Sequence, residues 1–224
     1  MKRRGSKDWE GNQPHGHLPT QPTFLEEQAL MEAGYDLVAG IDEVGRGALA
    51  GPVVAAAVIL PSRIEDQWFE SVKDSKLLTP GKRESLFPLI QEKAVAVGVG
   101  TVPAGTIDAM GILRATMLAM RMAVEQMKQR PHFLLIDAIT IPSLLIPQKG
   151  IIKGDRLCLS IACASIVAKV TRDRQMVEMD SLYPGYGLAG NKGYGTTDHL
   201  AGLMQLGPSP IHRQNFSPVR KQLL

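Results

Sequence analysis

The stretch from Val38 to Gly47 reads VAGIDEVGRG: a run of small and apolar residues, then two adjacent carboxylates, then an arginine between two glycines. The apolar run predicts a buried β-strand. Because the strand leads into Asp42 and Glu43, it brings both acids to the edge of a sheet, where a metal ion or a substrate can reach them. The glycines then allow the backbone to approach a ligand closely. This stretch therefore predicts a sheet with a functional site at its edge.

Strands and helices alternate through the rest of the chain. The hydrophobic patterns predict strands at 37–41, 53–60, 94–102 and 133–136, and helices at 25–32, 82–93, 107–128 and 157–182. This order predicts an α/β domain with a mixed β-sheet flanked by helices and a small C-terminal helical extension. We expect a disordered N-terminal tail at 1–24, a main domain at 25–185 and a C-terminal helical region at 186–224.

Composition and charge exclude few functions. The 224 residues carry a net charge of +3, most of it in the first 24 residues, so the remainder is nearly neutral. A neutral body argues against nucleic-acid binding by bulk charge alone, but it allows a basic groove beside an acidic site. Cys158 and Cys163 lie in an apolar segment, a setting that favours buried, reduced thiols. The longest apolar run, 53–60, is too short to span a bilayer, and no secretory signal is visible. We therefore expect a cytoplasmic protein without a membrane segment.

Four carboxylates lie at or just beyond the ends of predicted strands: Asp42, Glu43, Asp137 and Asp155. Neighbouring strands of one sheet could gather all four, and their mutual repulsion would then require cations. Oxygen ligands favour hard divalent ions such as Mg²⁺. Two such ions about 3.5–4 Å apart support the in-line hydrolysis of a phosphodiester. The pattern therefore points to a nuclease.

Each of these acids has an alternative interpretation. A single aspartate after a strand is often a turn residue or a helix cap, and Asp155 suits that role because a helix follows it. Asp42 and Glu43 are consecutive, so on a regular strand their side chains point to opposite faces. They share a metal site only if the strand has ended or bulged, or if one of them contributes less directly.

An ordered set of short motifs adds a family resemblance to this chemistry. The motifs are GIDEVGRG at 40–47, GP at 51–52, DSK at 74–76, ILRATM at 112–117, LID at 135–137, KGD at 153–155, AKVTRD at 168–173, KGY at 192–194 and HR at 212–213. Over about residues 35 to 220, this set resembles the ribonuclease HII family.

The resemblance implies an RNase H-like fold and an endonuclease that depends on Mg²⁺ or Mn²⁺, with two ions expected once substrate is bound. Such an enzyme cuts the RNA strand of RNA–DNA hybrids. It also cuts on the 5′ side of single ribonucleotides embedded in duplex DNA, leaving a 3′-hydroxyl and a 5′-phosphate. The resemblance also assigns catalytic and metal-binding roles, which fall on Asp42, Glu43, Asp137 and Asp155.

The same resemblance implies a substrate-binding surface. The family's glycine-arginine-glycine motif, here Gly45, Arg46 and Gly47, senses the 2′-hydroxyl, the one group that distinguishes RNA from DNA at a given residue. The tyrosine that matches Tyr194 stacks on the sugar at the RNA-to-DNA junction, although a tyrosine packed under the C-terminal helices is the alternative. Six basic residues are candidate phosphate contacts or else solvated surface charges: Lys76, Lys169, Lys192, Arg172, Arg213 and Arg220. Lys76 belongs to the DSK motif and is the one assigned to substrate binding.

Some positions depart from the family's usual pattern. Leu77 stands where a second lysine is common, Ala138 replaces a frequent glycine after the third acid, and Cys163 stands in a run that is usually alanine. None of these changes touches the four carboxylates.

Two other classes of function compete with a nuclease. The glycines from Gly45 to Gly51 resemble a dinucleotide-binding loop of an NAD-dependent oxidoreductase, but such a loop must open a helix, whereas Pro52 and the valines after it predict a strand. A non-catalytic protein that binds RNA–DNA hybrids is the second alternative, and tight metal-dependent binding without cutting would identify it. No protein partner is indicated by the sequence.

Overall fold

The computed structural model describes residues 21–64 and 67–223. The predicted N-terminal tail therefore lies outside the described residues up to position 20. Thr23 already pairs with the body of the protein: its amide donates to the Leu157 carbonyl over 2.9 Å, and its carbonyl accepts from the Leu159 amide over 2.9 Å. Phe24 packs against the core. The packed part of the chain thus begins before residue 25.

Strands and helices alternate as the hydrophobic patterns predict. The strands are β1 (Val38–Val44), β2 (Val53–Ile59), β3 (Ala96–Val102), β4 (Phe133–Asp137) and β5 (Gln148–Ile151). The helices are α1 (Leu25–Glu32), α2 (Pro80–Lys93), α3 (Ala104–Met110), α4 (Ile112–Glu125), α5 (Gly154–Leu157), α6 (Leu159–Leu182), α7 (Leu188–Asn191), α8 (Thr197–Leu206) and α9 (Ser217–Arg220). Two 3₁₀ turns lie at Gln67–Ser71 and Ser75–Leu77.

The strands form one mixed sheet in the order β3-β2-β1-β4-β5. The pairs β1–β2 and β2–β3 are antiparallel, whereas β1–β4 and β4–β5 are parallel. Helix α4 covers one face of the sheet and α6 covers the other. Strand β2 is buried along its whole length because helices cover both of its faces. The predicted mixed sheet flanked by helices is confirmed.

The loop after β1 does not open a helix. Strand β2 begins at Val53, directly after this loop, and pairs antiparallel with β1. A dinucleotide-binding loop requires a helix N-terminus at this point to meet the pyrophosphate. The oxidoreductase alternative is therefore excluded.

The long helix predicted at 107–128 is in fact two helices. Helix α3 ends at Met110 and α4 begins at Ile112, with Gly111 between them at φ +83°. A right-handed helix cannot continue through this conformation, which is accessible mainly to glycine. The prediction of one continuous helix was wrong because both segments share the same apolar periodicity.

Helix α6 is the central helix of the fold, and its N-terminus is capped from α1. The preceding residue, Cys158, provides no side-chain cap. Instead, the buried Glu27 carboxylate accepts from the Ser160 amide over 2.8 Å and from the Ser160 hydroxyl over 2.6 Å. This cap satisfies a donor that the helix cannot satisfy itself.

The burial of the two cysteines follows the sequence expectation. Cys158 and Cys163 are buried free cysteines, and burial raises the pKa of both thiols. Within the described ranges, no helix combines the length and the apolar character needed to cross a bilayer.

Candidate active site

Strand pairing places the first and third predicted acids side by side. Strands β1 and β4 are parallel neighbours, and Ile41 pairs with Ile136, so Asp42 and Asp137 follow at the same edge of the sheet. Asp155 lies in α5, just after β5, which is the next strand along the sheet. The fold therefore gathers acids that lie far apart in the sequence.

The adjacent acids Asp42 and Glu43 lie on a strand that neither ends nor bulges between them. Asp42 pairs with Ala56 and Glu43 pairs with Ala55, and β1 continues to Val44. The Asp42 carboxylate accepts a hydrogen bond from the amide of the next residue, Glu43, over 2.7 Å. The charge of Glu43 still acts on Asp42. The two carboxylates thus interact electrostatically, although the strand has neither the end nor the bulge that the sequence analysis expected between them.

Burial and mutual repulsion raise the pKa values of three acids. Asp42 is only 7% exposed, and its pKa is raised well above the usual value by burial and then by the charges of Glu43 and Asp137. The pKa values of Asp137 and Asp155 are also raised, chiefly by burial. A bound cation would relieve this repulsion.

Protein cations and amides pair with the acids. Arg46 Nη1 lies 3.1 Å from Glu43 Oε1, and the Gly154 amide donates to Asp137 Oδ1 over 2.8 Å. Lys76 Nζ lies 3.6 Å from Asp155 Oδ2. Burial acts to lower the Lys76 pKa, but the surrounding carboxylates outweigh burial and the pKa is raised. Arg46 and Lys76 therefore neutralise part of the negative charge.

The donor chemistry of this edge fits a hard divalent ion. All four acids offer only oxygen, and Glu43 Oε2 is buried without a hydrogen-bond partner, which is costly unless another ligand satisfies it. Over residues 21–64 and 67–223, however, no three acidic, histidine or cysteine side chains already surround one point as a metal site would. An ion bound here would therefore require the carboxylates to move closer together.

Asp74 is a further buried carboxylate at this edge, and the sequence argument gave it no role. It is 2% exposed, and its Oδ1 accepts from the Lys76 amide over 2.9 Å as the cap of the 3₁₀ turn. Its Oδ2 lies 3.3 Å from Arg156 Nε. Asp74 thus holds the loop that carries Lys76. The cap-like spacing of the DSK motif could have indicated this role.

The two glycines of the Gly45-Arg46-Gly47 loop serve different purposes. Gly45 has φ +89°, and a Cβ there would lie 2.2 Å from Arg172 Nε. A Cβ at Gly47 would meet nothing within 4 Å. Gly45 is therefore required by internal packing, whereas Gly47 leaves the loop open on its outer side.

Arg172 and Arg213 are wholly buried. The predictions that they contact phosphates or form solvated surface charges are therefore both wrong. Arg172 donates to the carbonyls of Pro52 and Lys192, each over 2.8 Å. Arg213 donates to the Arg46 carbonyl over 2.8 Å and to the Gly51 carbonyl over 2.9 Å. Neither guanidinium is free for a phosphate or for solvent. These residues tie the Gly-Arg-Gly loop to the C-terminal part of the chain.

Tyr194 lies beside this loop and reaches the surface. The preceding carbonyl, that of Gly193, accepts from the Leu49 and Ala50 amides over 2.7 and 3.2 Å. The Tyr194 residue is 36% exposed, and Arg172 Cζ lies 5.5 Å from the centre of its ring. The alternative of a tyrosine packed beneath the C-terminal helices does not fit this exposure.

The other basic candidates differ in their surroundings. Lys76 has a 78% exposed side chain, whereas Lys169 Nζ pairs with Asp173 over 2.7 Å. Lys169 and Lys192 line a groove of about 690 Å³ beside α6. Arg220 is exposed. Lys192 Nζ donates to the Ala189 carbonyl. Lys76 and Arg220, which are exposed, thus remain candidate phosphate contacts.

Comparison with known proteins assigns this arrangement to a family. A family model described as "Ribonuclease HII" matches residues 39–219. A ribonuclease HII of Dehalococcoides mccartyi is 55% identical over 199 residues, covering 89% of this chain and 94% of that protein. A ribonuclease HII of Desulfitobacterium hafniense is 54% identical and covers 97% of this chain and 82% of its own length.

Solved structures agree on the fold. The ribonuclease H2 of Pyrococcus horikoshii OT3 superposes with a TM-score of 0.69 at 28% identity, covering 83% of this chain and 96% of that one. Bst-RNase HIII, solved in complex with Mn²⁺, has a TM-score of 0.66 at 20% identity and covers 87% and 71%. The RNase H-like fold is confirmed. This chain thus belongs to the ribonuclease HII family, endonucleases that hydrolyse the RNA strand of RNA–DNA hybrids.

Proposed function

We propose that this protein cuts RNA–DNA hybrids and also duplex DNA that contains single ribonucleotides. The cut falls on the 5′ side of the ribonucleotide and leaves a 3′-hydroxyl and a 5′-phosphate. The observation that carries the proposal is the mutually repelling set of Asp42, Asp137 and Asp155 at one sheet edge, in which Asp42 and Asp155 are buried and Asp137 is half-buried. An open Gly47 follows on the loop after the same strand.

The reaction depends on Mg²⁺ or Mn²⁺, held by Asp42, Glu43, Asp137 and Asp155, with two ions when substrate is bound. The all-oxygen donor set and the unpartnered Glu43 Oε2 support this assignment. Bst-RNase HIII, which shares the fold, was solved with Mn²⁺. Bound divalent ions supply an activated water and stabilise the leaving oxygen of the phosphodiester.

The cationic partners of the acids take a second role with substrate. Arg46 pairs with Glu43 and Lys76 pairs with Asp155, and a divalent ion held by these carboxylates would release both side chains. Both side chains are then free beside a polyanionic backbone. Lys76, with its exposed side chain, is suited to contact a phosphate.

Recognition of the ribonucleotide falls to the loop and to Tyr194. Gly45, Arg46 and Gly47 bring backbone groups to the 2′-hydroxyl. No protein atom lies within 4 Å of the position that a Cβ would take at Gly47, so the substrate has room to approach the backbone there. The exposed face of Tyr194 offers an apolar surface to the sugar on the DNA side of the junction.

The two predicted regions of the chain have different roles in this proposal. Residues 25–185 carry the acids, and 186–224 complete the substrate site. The hydrogen bonds from Arg213 to Arg46 and from Ala50 to Gly193 support this division. The enzyme acts in the cytoplasm on nucleic acid, and the two buried free thiols suit a reducing compartment.

A cleavage assay tests the proposal. The substrate is a labelled DNA duplex with one ribonucleotide, compared with an all-DNA duplex and a long hybrid, in Mg²⁺, Mn²⁺ or EDTA. We expect a metal-dependent cut 5′ to the ribonucleotide and an intact all-DNA control. Asp137→Asn should abolish cleavage and leave the circular dichroism spectrum unchanged. Metal-dependent binding without any cleavage by the wild-type protein would favour the non-catalytic hybrid-binding alternative.

A further inference from the structure

Two buried histidines lie behind Tyr194, outside the acidic site. His199, on α8, is 0% exposed and His212, near the C-terminus, is 1% exposed. Their Nε2 atoms lie 3.0 Å apart. Two ring nitrogens at this distance share one proton, so one ring donates and the other accepts.

The neighbours of the pair fix the direction of this hydrogen bond. The Ser209 amide donates to His212 Nδ1 over 3.1 Å, so that nitrogen carries no proton. A neutral His212 then carries its proton on Nε2 and donates to His199 Nε2. A neutral His199 must in turn carry its proton on Nδ1, which lies 2.9 Å from the Tyr194 carbonyl and donates to it. One chain of hydrogen bonds thus runs from Ser209 to Tyr194.

The surroundings keep both rings neutral. Tyr186 packs against them with ring centres 4.7 Å from His212 and 6.4 Å from His199. The charged groups nearby are the guanidinium groups of Arg213, the next residue in the chain, and Arg172, which lies against Tyr194. Burial lowers the pKa of His199, and burial together with His199 lowers that of His212 to about 4.

The histidine chain completes a clamp on the Tyr194 backbone. The Tyr194 amide donates to the Asn191 carbonyl over 3.0 Å, and the Tyr194 carbonyl accepts from the Thr196 amide over 2.8 Å as well as from His199. With both backbone groups held, the ring is free to move only about its side-chain torsions. Arg172 lies over one face of the ring.

We propose that His199 and His212 are positioning residues for Tyr194, which hold its carbonyl so that the ring meets the sugar at the RNA-to-DNA junction. The inference rests on the proposed role of Tyr194 in substrate recognition. Neither histidine touches the substrate or the acids. Their effect should therefore fall on the substrates that need Tyr194, above all on single ribonucleotides in DNA.

A matched pair of substitutions at one position tests the inference. His199→Asn places an amide donor near the position of Nδ1 and keeps the bond to Tyr194. His199→Gln places its amide near Nε2, keeps the contact with His212 and loses the bond to Tyr194. We expect His199→Gln to lower kcat/KM on a single-ribonucleotide duplex by about tenfold, as for one lost hydrogen bond, and His199→Asn by less than about threefold. On a long hybrid both losses should be smaller.

A double-mutant cycle separates positioning from general stability. In a Tyr194→Ala background, His199→Gln should have no further effect beyond about twofold, because the ring that it positions is gone. Equal losses in the two His199 variants, or full additivity with Tyr194→Ala, would overturn the inference. His212→Asn breaks the same chain from the other end. It provides the test if His199→Gln does not fold, and wild-type selectivity in His212→Asn would then overturn the inference.

A measurement on the wild-type protein keeps this test independent of the proposed function. Nitrogen-15 NMR of the imidazoles distinguishes protonated from unprotonated ring nitrogens. We expect neutral His199 with its proton on Nδ1 and neutral His212 with its proton on Nε2. The reverse tautomers would overturn the inference even in an active enzyme. Absence of cleavage by the wild-type protein would instead contradict the proposed function.

Discussion

Arg213 Nη1 donates to the main-chain carbonyl of Arg46 over 2.8 Å, although 167 residues separate the two in the sequence. The same guanidinium donates twice to the Gly51 carbonyl, over 3.1 and 2.9 Å. The backbone of the Gly-Arg-Gly loop is therefore fixed by a residue near the C-terminus. The sequence suggests that Arg213 could contact nucleic acid, but its guanidinium instead holds the backbone of this loop.

Replacing Arg213 with lysine should destabilise the protein. An ammonium group lacks the planar fork that serves two carbonyls at once, so buried carbonyl oxygens lose their donors. We expect the free energy of unfolding to fall by about 3 kcal/mol. The exposed Arg220 provides the matched control, since Arg220→Lys should change it by less than about 0.5 kcal/mol. Urea denaturation measures both, and equal effects would contradict this role of Arg213.

Replacing Asp42 with asparagine should abolish cleavage and stabilise the metal-free protein. The folded-state pKa of Asp42 is raised by burial and by Glu43 and Asp137. The folded state therefore holds a proton that the unfolded state has released, and stability falls as pH rises through the folded pKa. Removing the acid at pH 8 should therefore increase the free energy of unfolding of the metal-free protein.

The comparison with wild type should run in EDTA, from pH 8 down to pH 4. The advantage of Asp42→Asn should shrink as the pH falls, because the wild-type carboxyl becomes protonated. The exposed Asp36, changed to asparagine, serves as the control and should show no such trend. A variant less stable than wild type at pH 8 would mean that the carboxylate of Asp42 holds the fold together.

The sequence predicts those features that depend on local pattern. The period of apolar residues is sufficient to predict the strand before Asp42 and helix α6, and the motif order is sufficient to predict the fold family. The break at Gly111 escapes this reasoning because apolar residues continue at helical spacing on both sides of it. The two helices are separated by the positive φ angle of Gly111, which the spacing of apolar residues does not reveal.

Features that depend on long-range pairing were beyond the sequence argument. A buried arginine and a surface arginine look the same in a sequence, so the internal roles of Arg172 and Arg213 could not be found. The coupling of Asp42 to Glu43 on an unbroken strand also depends on a side-chain rotamer that no spacing predicts. In both cases the hydrogen-bond or charge partner of a polar side chain is set by the tertiary structure and cannot be read from local sequence.

Replacing Ala138 with glycine should stabilise the protein. Ala138 follows Asp137 at φ +61°, in the left-handed region that costs a residue with a Cβ about 1–2 kcal/mol. Glycine removes this strain, but it also raises the conformational entropy of the unfolded chain, which cancels about 0.4–1 kcal/mol of the gain in stability. We expect a net gain of about 0.5–1 kcal/mol in the free energy of unfolding. Gly111→Ala, at φ +83° with no atoms within 4 Å, should change stability in the opposite direction. Thermal denaturation of both variants checks the signs.

Replacing Tyr194 with alanine should impair single-ribonucleotide substrates most. The exposed ring face is lost, and stacking of an aromatic ring on a nucleotide is worth about 1–3 kcal/mol, so kcat/KM should fall by at least about fivefold. Tyr194→Phe keeps the ring and should remain within about threefold of wild type, because one neutral hydroxyl contributes little beside the stacking face. Long hybrids offer a ribose on both sides of the cut, so they should lose less in the alanine variant. An equal loss on every substrate, accompanied by a lower melting temperature, would show that Tyr194 supports the fold and does not read the junction.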